Sequence, residues 1–172
     1  MIQPPPNCSL CPLASQGRLA PVAGVGPRTA KVMIVGEAPG ATEDRLGIPL
    51  IGPAGKLLDE LLQKVGLNRR DCYITNIVKC RPPANRPPEQ LEVAACTGHY
   101  LSSELEGVAV RVIVAVGATA TRYLLPAATF SKTHGLPHKD GGRVILPVYH
   151  PAAALHNQQL RSIVERDWAM IP

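Results

Sequence analysis

Aromatic side chains are scarce in this chain: they make up 3% of its 172 residues, with Phe130 the only phenylalanine and Trp168 the only tryptophan. A core built from these residues has to be aliphatic, and the 45% hydrophobic content is enough for one ordinary domain. Long apolar runs are missing too. No stretch approaches the roughly 18 residues that a bilayer-crossing helix needs, so no contact with a membrane is expected. The opening residues, "MIQPPPNCSLC", have neither the basic nor the apolar region of a secretory signal. A cytoplasmic location is the expectation that follows. Neither a P-loop, which ends in Lys and Ser/Thr, nor a G-x-G-x-x-G fingerprint occurs, which argues against phosphate cradling at the glycine-rich turns. Acidic residues are outnumbered by basic ones, 13 to 18, for a net charge of +5. That balance permits binding to nucleic acid but does not demand it.

Four segments read as buried strands: Lys31–Val35, Cys72–Val78, Arg111–Val116 and Arg143–Tyr149. They are near-continuous apolar runs, the pattern of parallel strands covered on both faces. Pro147 places an edge or a bulge in the last of them. Between them lie helical patterns. "AGKLLDELLQKVG" puts Leu57, Leu58, Leu61, Leu62 and Val65 on one face and ends at Gly66. A helix entered at Pro88 sets Leu91, Ala94, Ala95, Leu101 and Leu105 inward. "ATATRYLL" forms a short third helix, and a closing helix spans Gln158 to Trp168. Strand alternating with helix predicts an α/β fold: one three-layer αβα domain over residues 1–172, with a central four-stranded, mostly parallel sheet and residues 1–7 as a flexible tail.

Ligands of such sheets bind beyond the carboxyl ends of the strands. Gly36-Glu37, Asn76, Gly117 and His150 stand at those ends, which makes them a candidate site. The turn that follows the first strand, "GEAPGATED", carries Glu37, Glu43 and Asp44. Carboxylates there suit capping of a helix or loop, or a ligand other than phosphate. Asn76 interrupts an apolar strand, and its buried amide must bond either backbone or a ligand. His99, His134, His138 and His156 fall in helix or loop contexts and are expected at the surface.

Five cysteines are present. Cys8 and Cys11 form C-x-x-C, while Cys80 and Cys96 are sixteen apart and sit either side of the loop "RPPANRPP". Four thiolates meeting at one centre fit either zinc or an iron–sulfur cluster, and spacing does not separate the two. Cys72 reads as a small apolar residue opening a strand. Arg69-Arg70 and Lys79-Cys80-Arg81 read as basic loop clusters.

Three motifs, "GEAPG…ED…GIPLIGPAG", "YITNIVKCRPPANRPP" and "HPAAAL", occur in the order seen in family 4 uracil-DNA glycosylases, and the cysteine spacing is similar as well. The resemblance runs from Cys8 to about Leu155. It implies a monofunctional enzyme that flips uracil out of single- or double-stranded DNA and hydrolyses its N-glycosidic bond, with a monomer expected. On this resemblance Asn76 reads the uracil edge, and His150 bonds the uracil oxygen as negative charge builds. Glu37, Glu43 and Asn85 position water or stabilise the sugar. Gly36, Ala38 and Gly40 let the backbone approach the base, and Leu155 acts as a wedge. Cys8, Cys11, Cys80 and Cys96 ligate a [4Fe–4S] cluster, preferred over zinc. At one place the chain departs from the family: Leu50 stands where the family carries an aromatic residue that stacks on uracil. Leu50 is therefore a contact to the base without a π-face. The same departure motivates an alternative, an iron–sulfur protein that binds uracil-containing or damaged DNA with weak or no excision.

Overall fold

The computed structural model describes residues 3–171. Its sheet has five strands in the order β2-β1-β3-β5-β4: β1 Val32–Gly36, β2 Tyr73–Asn76, β3 Val112–Val116, β4 His138–Asp140 and β5 Arg143–Val148. The four strands expected from apolar runs are β1, β2, β3 and β5, and they pair in parallel. The fifth, β4, pairs antiparallel with β5 at the edge. It escaped notice because "HKD" is polar and half-buried to exposed, so no hydrophobic run marks it. Pro147 is accommodated by this arrangement. The Val144 amide donates to Arg111 O and Val148 O accepts from Gly117, so alternate residues of β5 bond β3. Pro147 faces the other side, beyond the last residue that β4 pairs, where its missing N–H breaks no ladder bond.

Alternation along the strands splits the core into two layers. Val32, Ile34, Val114, Leu146 and Val148 pack with helix α2 (Pro53–Lys64), α7 (Pro151–His156) and α8 (Arg161–Trp168). Met33, Val35, Ile113, Ala115 and Ile145 face the other way, toward α3 (Gln90–Cys96), α4 (Ser102–Gly107) and α5 (Ala118–Leu124). The three-layer expectation therefore holds. Two shorter helices, α1 (Ala41–Leu46) and α6 (Phe130–Thr133), sit in connections.

The helix expected to run on from Pro88 is instead α3, a π-helical turn at Thr97–Leu101 and α4. Leu91, set inward by periodicity, is 74% exposed, and Ala94 is also exposed. The inward place on that turn belongs to Glu92, whose buried carboxylate takes a two-pronged bond from Arg86 at 2.6 and 2.9 Å. Of the expected N-terminal tail, residues 1 and 2 lie outside the described residues. In the described part, which is mostly exposed, the Cys8 amide donates to Pro5 O, and Arg18 donates to Pro6 O and Cys8 O.

Lys79 departs from the reading of "KCR" as a basic loop cluster, because its side chain is fully buried. The ammonium lies 2.6 Å from Glu104 Oε2 and donates to Thr75 Oγ1 and Asn76 O. Glu104 also accepts from the Gly24 amide, the Tyr73 hydroxyl and Thr75 Oγ1. Every polar atom of the pair is thus served, as a buried charge requires. Removing one partner leaves the other charge stranded in the interior. Glu104→Ala is expected to lose about 3–5 kcal/mol in urea unfolding, whereas Lys79→Met combined with Glu104→Leu should lose clearly less than the two single changes added together.

Candidate active site

Strands β1, β2, β3 and β5 all run to the same edge of the sheet, and a cavity of about 450 Å3 opens there. Glu37, Ala38, Gly40, Glu43, Leu50, Asn85, Gly117 and His150 line it. Sequence reasoning had named all eight. The lining also includes Pro53, Ala54, Ala118 and Ala152, which it had not; their small side chains leave room beside the polar groups, and "GPAG" was the signal available for the first two. A larger cavity of about 600 Å3 lies among Val25, Ile48, Pro49, Arg69 and Ile74. It contains none of the strand-end groups and no imidazole, so the smaller cavity is the candidate for chemistry.

Asn76 and Gly36 sit directly opposite each other in the β1–β2 register. The Asn76 amide lies so close over Gly36 that a Cβ added there would stand 2.3 Å from Asn76 Oδ1 and 3.6 Å from Leu50 Cδ1. Glycine is therefore obligatory at position 36 if Asn76 is to keep this pose. Both Oδ1 and Nδ2 of Asn76 are buried, and neither has a partner among the described residues. An unmet buried amide costs about 1–3 kcal/mol. Asn76 does not itself line the cavity; it stands behind Gly36, whose Cβ position lies between Asn76 Oδ1 and the wall residue Leu50.

His150 caps its own helix. Its Nδ1 accepts from the Ala152 amide at 3.1 Å. In the neutral ring the proton is then on Nε2, leaving Nε2–H as the donor available to the cavity. Burial lowers the His150 pKa to about 4, with Glu43 opposing the shift, so the imidazole is neutral near pH 7.

Glu43 is fully engaged. One oxygen accepts from the Ile51 and Gly52 amides at 3.0 and 2.7 Å, the other from the Gly40 amide at 3.1 Å. Its neighbour Asp44 is buried and accepts from the Leu19 amide. Glu37 differs: the Thr119 hydroxyl donates to its Oε2, and its other oxygen has no partner among the described residues. Thr119 had passed unnoticed inside "GATAT". Asn85 and Ala84 both adopt left-handed backbone, with φ of 54° and 53°, and Arg81 Nε donates to Asn85 Oδ1 at 2.8 Å. The tight reversal turns Asn85 to the cavity rim. Leu155 lies apart, 46% exposed on the last turn of α7.

The four named cysteines line one small cavity with Lys79 and Tyr100, and all are free thiols. Burial raises the thiol pKa of Cys80 to about 12 and of Cys96 to about 11. Two donors already point at sulfur: the Tyr100 hydroxyl at Cys8 Sγ and the Lys79 amide at Cys96 Sγ, each at 3.2 Å. Donors aimed at sulfur suit thiolate ligands, so the set fits a thiolate-bound centre. Among the described residues no group of three or more His, Cys, Asp or Glu side chains is arranged to hold a single metal ion. Cys72, by contrast, is an ordinary buried core residue. His134 is not the surface residue expected from its loop context; its Nδ1 lies 2.8 Å from the buried Asp167 carboxylate.

Residues 23–170 match the family model of the uracil DNA glycosylase superfamily. The chain belongs to that superfamily, on its type-4 branch. It is 43% identical to a type-4 uracil-DNA glycosylase of Thermotoga maritima over 94% of this chain and 85% of that protein. Against the type-4 enzyme of Archaeoglobus fulgidus it is 44% identical, covering 87% and 79%. Against that of Sulfurisphaera tokodaii it is 41% identical, covering 96% and 79%. Among solved structures, SMUG2 from Pedobacter heparinus shares the fold with a TM-score of 0.54 at 12% identity, over 83% of this chain and 74% of that one.

The His150 environment sets a pH dependence for this superfamily member. The folded pKa of about 4 lies below the ordinary 6.5, so the unfolded chain binds the proton first as pH falls. The associated stability is present above pH 6.5 and drains away between 6.5 and about 4. In thermal melts over that window, His150→Gln should show a shallower fall than the parent chain.

Proposed function

We propose that this chain is a monofunctional uracil-DNA glycosylase, which hydrolyses the N-glycosidic bond of uracil in DNA and leaves an abasic site for base excision repair. The observation that carries this reading is the unpartnered Asn76 amide beside the cavity into which His150 offers its Nε2–H. Type-4 uracil-DNA glycosylase is also what the relatives at 41–44% identity are named.

An amide has one acceptor and a donor pair, which matches the N3–H and O4 edge of uracil with two bonds. Cytosine presents the inverse pattern, so discrimination against it depends on the Asn76 amide keeping one orientation, with Oδ1 toward the N3 position of the base; a polar mismatch of that kind discriminates strongly. As the bond to C1′ lengthens, charge gathers on the uracil oxygens. The neutral His150 ring donates its Nε2–H to one of them. Positive charge develops on the sugar at the same time. Glu37, pinned on one side by Thr119, has an oxygen free to orient the attacking water or to face the sugar, with Asn85 beside it at the rim. Glu43 contributes a fixed negative charge while its oxygens hold the loop. Water oxygen bonds to C1′, uracil departs with the bonding electron pair, and the proton that the water sheds ends on the departed uracil. Leu155, exposed at the end of α7, presses in this reading on the strand from which the base is drawn.

Cys8, Cys11, Cys80 and Cys96 hold a [4Fe–4S] cluster in this reading. The cluster supplies a structural link between the N-terminal segment and the 79–96 region. The chain acts as one domain and a monomer in the cytoplasm, on single- or double-stranded DNA. No described helix is long and apolar enough to cross a membrane. Leu50 favours a second reading, a uracil-DNA binder with weak excision, because an aliphatic side chain forgoes base–aromatic stacking worth about 1–3 kcal/mol.

Release of abasic sites from a uracil-containing oligonucleotide decides between the two readings. His150→Ala is expected to slow single-turnover excision by about 10²–10³, and a rate equal to wild type would remove its role. Asn76→Asp should reduce uracil excision far more than it reduces folding, with excision rate and melting temperature measured on the same preparation. For the cysteine set, Cys96→Ser should lose iron, visible absorbance and solubility together. Full iron content in that variant would overturn the ligand assignment.

A further inference from the structure

Leu50 is held in a backbone conformation that leucine seldom adopts. Its φ is 49°, in the left-handed region, and nothing about the side chain favours it. Surroundings must impose such a conformation, and two groups grip this loop from opposite sides. On one side Glu43 accepts the Ile51 and Gly52 amides. On the other, the Arg69 guanidinium donates to three carbonyls in turn: Pro49 O at 3.2 Å, Leu50 O at 2.5 Å and Gly55 O at 3.3 Å. Its Nε is fixed by Asp59 Oδ1 at 2.8 Å, from α2. The Leu50 carbonyl is pressed so closely on the first turn of α2 that a Cβ at Gly55 would lie 1.9 Å from it. Amides bound by an acid and carbonyls bound by a guanidinium leave the segment 49–52 little freedom.

The outcome of that grip is the position of one side chain. Leu50 lines the candidate active-site cavity and comes within reach of Gly36 and Asn76. Arg69 itself does not line that cavity; it borders the larger one behind the loop. We infer that Arg69 is a positioning residue of the base pocket: by holding three carbonyls it keeps Leu50 in left-handed backbone and so sets the wall against which the flipped base rests. A planar fork with several donors suits three carbonyls at once, and a lysine ammonium does not reproduce it. The inference rests on the uracil-excision reading for its effect on rate, but not for the clamp itself.

The test uses the whole protein in five forms: wild type, Arg69→Ala, Arg69→Lys, Leu50→Ala and the Leu50→Ala/Arg69→Ala double variant. Single-turnover excision is measured on a single-stranded uracil oligonucleotide, together with melting temperature and amide exchange at Ile51 and Gly52. Arg69→Ala should excise roughly 10- to 100-fold more slowly, the scale of loss that accompanies small misplacement of a reacting group. In the Leu50→Ala background the same change should cost less than about twofold, because the two residues act through one element. Losses that simply multiply would overturn the inference, since Arg69 would then act somewhere other than Leu50. Arg69→Lys guards against a folding artefact: it should melt close to wild type yet excise slowly, and a wild-type rate would show that the fork is not needed. Should the wild-type protein excise no uracil, the functional reading fails by itself, and amide exchange still judges the clamp. Faster exchange at Ile51 and Gly52 in Arg69→Ala supports it; unchanged exchange overturns it.

Discussion

The ion pair between Lys79 and Glu104 is the contact on which the rest of the molecule converges. Lys79 carries three connections through different atoms. Its ammonium serves Thr75, the Asn76 carbonyl and Glu104, its amide points at Cys96 Sγ, and its carbonyl accepts from Val22. Glu104 gathers the Gly24 amide and the Tyr73 hydroxyl into the same knot. One buried point thus joins the N-terminal segment, β2, α4 and the cysteine region. Burial lowers the pKa of the lysine, and the glutamate opposes that shift. Desolvation of two charges cancels much of their attraction, so such a pair contributes less to net stability than its short distance suggests. What it does fix is geometry. The backbone of Asn76 cannot shift without disturbing every group in the knot.

Around the cavity, carboxylates do two different jobs that look alike on paper. Glu43 has its oxygens filled by backbone amides and works as a tie between the 40s turn and the 50s loop. Glu37 meets one hydroxyl and keeps capacity to spare. This difference resolves the presence of acids in a glycine-rich turn. One acid replaces missing backbone partners, and the other stays available to something that enters the cavity. His150 completes the contrast: its neutral ring supplies a donor without adding charge beside the acids.

Much of the fold was legible because parallel strands buried on both faces must be apolar throughout, and "KVMIV", "RVIVAV" and "RVILPV" leave little room for another reading. The strand-end residues followed from topology, since any group at the carboxyl end of β1, β2, β3 or β5 is carried to one edge. What stayed hidden was long-range pairing. A lysine between apolar residues and a cysteine looks like a surface charge until Glu104, 25 residues away, is seen beside it. Leu91 follows the helical period but loses its inward place to Glu92, which has Arg86 as a partner. Strand β4 is too polar and too short to stand out in sequence, and it exists because β5 offers it an edge. Arg69 could not be told from Arg70 by sequence, since only the folded loop presents the three carbonyls that the former collects.

The ring of His150 has a consequence for which amino acids this position will accept. One nitrogen receives the Ala152 amide, while in the proposed reaction the far nitrogen donates a hydrogen bond outward. Asparagine or aspartate would satisfy the helix start but is too short to reach past it. Lysine or arginine has the reach, yet neither can accept from an amide. Glutamine has both functions, but on a flexible stem that fixes neither of them. Only imidazole places an acceptor and a donor on opposite flanks of a rigid plane. The vocabulary at the end of β5 is therefore narrowed to one residue by helix initiation and chemistry together, and a drift that spared either function would still forfeit the other.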